Sequence, residues 1–196
     1  MPFTRFILPF AAPRFLGIFA IAALFAGVAI ADHVLDIGLT ASWALDPTLI
    51  REQPWRLLTW CFSQDGWVQA SGNAVGLGIG LSMMARCSGR SAAWIGLLGS
   101  ILLPALWAWH DMAAGAELHG ASTALYGALG MGIVSWRKMR HELTYTQRTD
   151  WVGGFAVLLL VGFTLAMPRI LDAPARWIHI IGFTWGAGVA LLAPRD

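Results

Sequence analysis

Six apolar stretches follow one another along the chain, and each is long enough to cross the hydrocarbon core of a bilayer, which is about 30 Å thick. They lie near residues 15–31, 67–85, 91–109, 118–136, 151–167 and 175–193. Hydrophobic residues make up 57% of the 196-residue chain, and no soluble domain of this size requires so much apolar surface. The sequence therefore predicts an all-α membrane protein with one domain, residues 1–196, folded as a bundle of six transmembrane helices.

Basic residues indicate how this bundle is oriented. Nine arginines and lysines fall on one side of the membrane and four on the other. The nine are Arg5, Arg14, Arg86, Arg90, Arg137, Lys138, Arg140, Arg148 and Arg195, and the four are Arg51, Arg56, Arg169 and Arg176. Because arginine and lysine collect in cytoplasmic loops, we expect both termini to be cytoplasmic and residues 32–66 to form an outer loop. The net charge is only +2 and is dispersed, so nothing favours a nucleic-acid partner.

The first apolar stretch also fits a second interpretation. Arg14, the apolar run and the segment Ala29-Ile30-Ala31 before Asp32 are typical of a signal peptide with its cleavage site. The apolar run is long for a signal peptide, which favours a transmembrane helix. Both interpretations leave the segment from Asp32 onwards outside.

Polar residues inside membrane spans are costly, so the few in this chain are candidates for function. Ser122 lies about four residues into the fourth stretch and His179 about five residues into the sixth, both counted from the outer side. At 1.5 Å per residue, Ser122 is roughly 6 Å deep, and the depth of His179 agrees with it to about one residue. A serine hydroxyl becomes a nucleophile when a nearby base removes its proton, so we predict that Ser122 is the nucleophile and His179 the general base. These stretches contain no carboxylate to orient His179, which favours a dyad over a triad.

Small residues predict close packing between the stretches that carry this pair. The two helix faces consist of Ser122, Tyr126 and Gly130 in the fourth stretch, and of His179, Gly182 and Gly186 in the sixth. Gly faces allow helix backbones to approach closely in lipid. Close packing of the two faces would bring the imidazole to the hydroxyl.

Two amides complete the predicted site. Gln69 and Asn73 are four residues apart in the second stretch, so they share a helix face at the same outer depth. Acyl transfer creates an oxyanion that needs hydrogen-bond donors, and these amides and the backbone N–H of Ser122 can supply them. The residues therefore predict a hydrolase site about one turn below the outer surface. No spacing of cysteine and histidine suggests a metal, and we expect no metal and no cofactor.

The chain resembles the rhomboid family of intramembrane serine proteases in the order and spacing of these residues. The segment Gly120-Ala121-Ser122 is similar to the start of the family's Gly-x-Ser-Gly motif, and the positions of its tyrosine and packing glycine match Tyr126 and Gly130. The family's His-x-x-Gly-x-x-x-Gly motif matches His179, Gly182 and Gly186. Its pattern in the first loop and second helix matches Trp55, Arg56, Thr59, Phe62 and Asn73.

The chain departs from the family pattern at three positions. Gln64 and Gln69 stand where the family normally has histidines. The histidine that Gln69 replaces helps to hold the oxyanion, and glutamine retains an N–H donor. Thr123 replaces the second glycine of the serine motif and adds a β-branched side chain beside Ser122. Because Ser122 and His179 are both present we favour an active endopeptidase, and the alternative is a catalytically weak or inactive protein that binds transmembrane helices.

The resemblance implies a partner and a location. The substrate would be the transmembrane segment of another membrane protein, entering from the lipid bilayer past the second and fifth helices and cut near the outer surface. Only a segment that unwinds readily can offer its backbone to a serine. We expect a multi-pass protein of the bacterial inner membrane. The compact size is also similar to the rhombosortase branch, which trims C-terminal sorting tails, but no motif in the chain selects that branch.

Overall fold

The computed structural model describes residues 16–64, 66–87, 89–113, 115–141, 144–145 and 173–193, together with residues 148, 152 and 159. Within these residues the regular elements are helices, in agreement with the predicted all-α class. In chain order they are α1 (Leu16–Leu35), α2 (Leu39–Trp43), α3 (Arg56–Thr59), α4 (Trp67–Cys87), α5 (Gly89–Asp111), α6 (Ser122–Met139) and α7 (Ala173–Leu192).

The long helices correspond to five of the six predicted apolar stretches. Two segments, Gly89–Asp111 and Ala175–Leu192, are long and apolar enough to cross a membrane, judged over the described residues. The predicted stretch 151–167 lies outside the described part of the chain, apart from residues 152 and 159.

Helices α6 and α7 pack backbone against backbone through glycines. A Cβ added to Gly130 would overlap the carbonyl of Phe183, and a Cβ added to Gly186 would overlap the carbonyl of Gly127. A Cβ on Gly182 would overlap the carbonyl of Thr123 in the same way. Because no other residue fits these positions without movement, the glycines fix the separation and register of the two helices.

Helix α5 packs against α7 through one aromatic side chain and one hydroxyl. The Trp185 indole occupies the space that a side chain at Gly99 would need, and its Nε1 donates to the Ile95 carbonyl at 3.0 Å. Ser100 Oγ donates to the Gly182 carbonyl at 3.4 Å. These contacts hold α7 against α5, and the glycine contacts hold it against α6.

The end of α7 is bound by a lysine from α6. Lys138 Nζ donates to the carbonyls of Ala190 at 2.7 Å, Leu191 at 2.9 Å and Ala193 at 3.2 Å. The last carbonyls of a helix have no N–H donor within the helix. A cation there donates hydrogen bonds to them and interacts favourably with the negative end of the helix dipole.

Arginine and aspartate organise the loop between α1 and α4. The buried Arg56 donates to the carbonyls of Ala41 at 3.1 Å and Ala44 at 2.6 Å. The Asp32 carboxylate accepts from the backbone N–H groups of Leu39 at 2.6 Å and Thr40 at 2.7 Å, at the start of α2. Burial disfavours the charged form of Asp32, but the hydrogen bond from the Thr40 hydroxyl, together with these backbone bonds, outweighs it and holds the pKa of the carboxyl below its ordinary value.

Candidate active site

The segment that leads from Leu118 to Ser122 is not helical, which differs from the sequence expectation. Leu118 and Leu45 exchange two backbone hydrogen bonds in an isolated β-bridge, and Gly120 has a φ of +100°, which favours glycine. Helix α6 therefore begins at Ser122 and not at residue 118. The prediction that Ser122 lies about four residues inside the helix was wrong, because a distant loop pairs with the residues that precede it.

The position of Ser122 at the start of α6 has a chemical consequence. The first N–H groups of an α-helix have no acceptor within the helix, and the N-terminus carries a partial positive charge. The backbone N–H of Ser122 belongs to this first turn. It is thus suited to donate to an anion that forms beside the serine hydroxyl.

Ser122 and His179 lie in contact although 57 residues separate them in the chain. Ser122 Oγ is 2.8 Å from His179 Nε2, a hydrogen-bond distance, and both residues are buried. The Tyr126 ring lies against the imidazole, with ring centroids 4.6 Å apart. The glycine contacts between α6 and α7 bring the two elements close enough for this pair to meet.

The two predicted amides of α4 lie against the segment that leads into Ser122. A Cβ added to Gly120 would be 2.8 Å from Gln69 Nε2 and 3.4 Å from Asn73 Nδ2. Both amide side chains are buried. The structure therefore places Gln69 and Asn73 beside Gly120, two residues before Ser122, and Ser122 in turn contacts His179.

The amide of Asn73 continues into a chain of hydrogen bonds that the sequence did not reveal. Asn73 Nδ2 donates to Gln64 Oε1 at 2.8 Å, and Gln64 Nε2 donates to the Cys61 carbonyl at 2.7 Å. Gln64 and Asn73 are both buried. The departure from histidine at position 64 was the only sequence signal, and it gave no indication of these partners.

Thr123 does not separate the serine from the histidine. Its side chain is fully buried, and the contact between Ser122 and His179 forms with the threonine in place. Its backbone carbonyl faces Gly182 on α7. Over the described residues, Thr123 Oγ1 has no hydrogen-bond partner. Burying a hydroxyl without a partner lowers the stability of the folded protein.

His119, which directly precedes the serine motif, faces the loop between α1 and α4. Its Nδ1 is 2.7 Å from Ser63 Oγ, and the Ser63 hydroxyl donates to the Thr40 carbonyl at 2.8 Å. Its Nε2 is 3.6 Å from a carboxylate oxygen of Glu117. His119 thus links the segment before Ser122 to the loop between α1 and α4.

Among the residues with described positions, no three histidine, cysteine, aspartate or glutamate side chains could hold a metal ion. The described side chains near Ser122 supply a hydroxyl, an imidazole and amide groups.

A family model described as the rhomboid domain matches residues 51–195, a range that includes Gln69, Asn73, Ser122 and His179. No curated protein and no solved structure matches the chain.

Proposed function

The chain belongs to the rhomboid family, and on this basis we propose that it is an intramembrane serine endopeptidase that cleaves membrane-anchored proteins near the outer face of the membrane. The observation that carries the proposal is the 2.8 Å contact between Ser122 Oγ and His179 Nε2. A buried serine and histidine can also pair for structural reasons. Two further observations support the proposal: Gln69 and Asn73 lie beside Gly120, two residues before Ser122, and Ser122 begins α6. Amide donors and a helix N-terminus near the nucleophile suit acyl transfer.

In the proposed first step, Ser122 attacks the scissile carbonyl carbon. His179 Nε2 accepts the hydroxyl proton as the bond from Ser122 Oγ to carbon forms. The tetrahedral intermediate collapses, the C–N bond breaks, and the imidazolium returns the proton to the leaving amine. Tyr126 supports the imidazole from one face, so the ring stays aligned while its charge changes.

The negative oxygen of the intermediate is stabilised by the N–H of Ser122 and the amides of Gln69 and Asn73. Donors fixed before the reaction need no rearrangement as charge develops, and each contributes about 10²–10³ in kcat. In the second step, water attacks the acyl-enzyme ester with His179 as base. The ester bond to Ser122 breaks, the imidazolium returns its proton to Ser122 Oγ, and the product leaves as a carboxylic acid that ionises in water.

The proposal includes a six-helix bundle in a bacterial inner membrane with both termini in the cytoplasm. Rhomboid family members are integral membrane proteins, and the distribution of basic residues supports this orientation. Large apolar side chains are exposed along α5, as expected for a lipid-facing helix. They are Trp94, Ile95, Leu98, Leu106 and Trp109.

The proposed substrate is a transmembrane segment that unwinds easily. A helix satisfies its own backbone hydrogen bonds, so a stable one cannot present a peptide bond to Ser122. Glycine or other weak helix formers near the outer end of the segment lower the cost of unwinding by about 1 kcal/mol per residue. Such segments are the expected substrates.

A second candidate is a rhomboid-like protein that binds transmembrane helices without cutting them. Thr123 and Gln69 favour it, because both depart from the family pattern beside the nucleophile. The variant Thr123→Gly discriminates between the candidates. Cleavage by the wild-type chain, or a large gain of cleavage in Thr123→Gly, supports the protease, and inactivity of both forms supports the binding protein.

The direct test is cleavage of a reporter whose single transmembrane segment carries glycines near its outer end. Wild-type protein should release a fragment in membranes, and Ser122→Ala and His179→Ala should not. Ser135→Ala is a matched control, because Ser135 is a second buried serine on α6. Cleavage that persists in Ser122→Ala would refute the proposed nucleophile.

A further inference from the structure

We propose that Gln64 is a positioning residue of the same site, which fixes the Asn73 amide so that its nitrogen, and not its oxygen, faces the segment leading into Ser122. This inference rests on the proposed function. Gln64 lies in the loop between α3 and α4, and it acts through Asn73 without touching the substrate.

The Asn73 amide cannot orient itself by shape. Its nitrogen and oxygen ends are almost equal in size, so a rotation of 180° exchanges a donor for an acceptor with little change in packing. Over the described residues, Asn73 Oδ1 has no hydrogen-bond partner. The bond from Nδ2 to Gln64 Oε1, at 2.8 Å, is therefore what distinguishes the two orientations.

Gln64 has the same ambiguity, and a backbone carbonyl resolves it. Its Nε2 donates to the Cys61 carbonyl at 2.7 Å. A carbonyl only accepts, so the nitrogen of Gln64 must face it and the oxygen must face Asn73. The Cys61 carbonyl cannot rotate, so it fixes the orientation of the Gln64 amide, and Gln64 in turn fixes the orientation of the Asn73 amide.

The orientation decides what Asn73 offers to the oxyanion. Asn73 Nδ2 lies next to Gly120, two residues before Ser122. An amide nitrogen carries two hydrogens, so one remains after the bond to Gln64. A rotated amide would present Oδ1 there, and its lone pairs would repel the developing negative oxygen.

Burial strengthens the two hydrogen bonds that join the Cys61 carbonyl, Gln64 and Asn73. Gln64 is 3% exposed and Asn73 is fully buried, so water cannot replace either partner easily, and hydrogen bonds are stronger where water is excluded. Glutamine suits position 64 because one side chain provides both the donor for Cys61 and the acceptor for Asn73. A hydrocarbon side chain of similar length provides neither.

The test uses a fluorophosphonate as the probe of the full-length protein in detergent. In this reaction the bond from Ser122 Oγ to phosphorus forms, the P–F bond breaks, the hydroxyl proton passes to His179 and fluoride leaves. The phosphoryl oxygen gains charge in the transition state, so kinact reports on the oxyanion donors and KI on probe binding. Both are measured for each variant, together with thermal unfolding.

We expect Gln64→Met to lower kinact by at least about tenfold, and by no more than the 10²–10³ that complete loss of a donor costs, with KI little changed. Asn73→Ala should lower kinact further, and the double variant should equal Asn73→Ala alone, because Gln64 acts through Asn73. Gln64→His, whose neutral ring keeps one donor and one acceptor, should retain most of the wild-type kinact. Gln64→Ala replaces Gln64→Met if that variant does not fold.

Gln53→Met is the matched control. Gln53 is a glutamine of the same outer loop, and its Oε1 accepts from Arg56 Nε at 2.6 Å. This variant loses a hydrogen bond of the loop but should keep the wild-type kinact. A wild-type kinact in Gln64→Met, or losses that multiply in the double variant, would overturn the positioning role alone. A wild-type protein that folds but is not labelled at Ser122 would overturn the proposed function, and this inference with it.

Discussion

The ring of Tyr126 lies against the imidazole of His179, with centroids 4.6 Å apart and planes inclined by 34°. This contact predicts a difference between two substitutions. Tyr126→Ala removes the support of the imidazole and should lower kcat by about 10²-fold, the effect of a misplaced catalytic group. Tyr126→Phe keeps the ring and should lose much less. Reporter cleavage measures both, and equal losses would show that the hydroxyl matters more than the ring contact.

The glycine interface between α6 and α7 predicts a position-dependent loss of stability. Gly186→Ala should destabilise the protein by about 1–3 kcal/mol, because the new methyl group overlaps the Gly127 carbonyl. Gly188→Ala is the control on the same helix, since a Cβ there meets no atom within 4 Å. It should be neutral or stabilising by up to about 1 kcal/mol. Thermal unfolding in detergent distinguishes the two, and similar effects would contradict the close packing.

The hydrogen bonds of Lys138 predict a second contribution to the stability of the interface between α6 and α7. Lys138→Met removes the donor to three carbonyls at the end of α7 and should cost about 1.5–3 kcal/mol, the range for hydrogen bonds with a charged partner. Arg137→Met removes a neighbouring exposed charge and should cost little. The free energy of unfolding in a denaturant series measures the difference. A loss in Arg137→Met as large as that in Lys138→Met would argue against the capping role.

The hydrogen bonds of Asp32 to the start of α2 predict that acid lowers the stability of the loop between α1 and α4. Its pKa in the folded protein is lowered, so its contribution to stability is present above the ordinary value of 3.8 and is lost as the pH falls through the lower folded value. Unfolding followed between pH 6 and about pH 3 should show a decline that is reduced in Asp32→Asn. An unchanged decline in the variant would assign it to other carboxyl groups.

The sequence was sufficient to predict that Ser122 and His179 meet, because the helical spacing of the small residues that accompany each of them is a local property. Ser122 and His179 could be paired from their positions in two apolar stretches, and the glycines explained how those stretches approach. The start of α6 could not be predicted in this way. It depends on the pairing of Leu118 with Leu45, which lies in a separate loop.

The side-chain hydrogen bonds of Gln64 could not be predicted from the sequence either. The role of Gln64 depends on the direction of two hydrogen bonds, to Cys61 and to Asn73, and on burial from water. The accommodation of Thr123 depends on the space between helices that are far apart in the chain. Residue types and spacing carry no information about either.

The most direct measurement of the central claim is labelling of the folded, purified protein with a fluorophosphonate, followed by identification of the modified peptide by mass spectrometry. The account predicts modification at Ser122, strongly reduced labelling in His179→Ala, and none in Ser122→Ala. Folded wild-type protein that remains unmodified, or that is modified at a different serine, would contradict the claim that Ser122 and His179 form a catalytic pair.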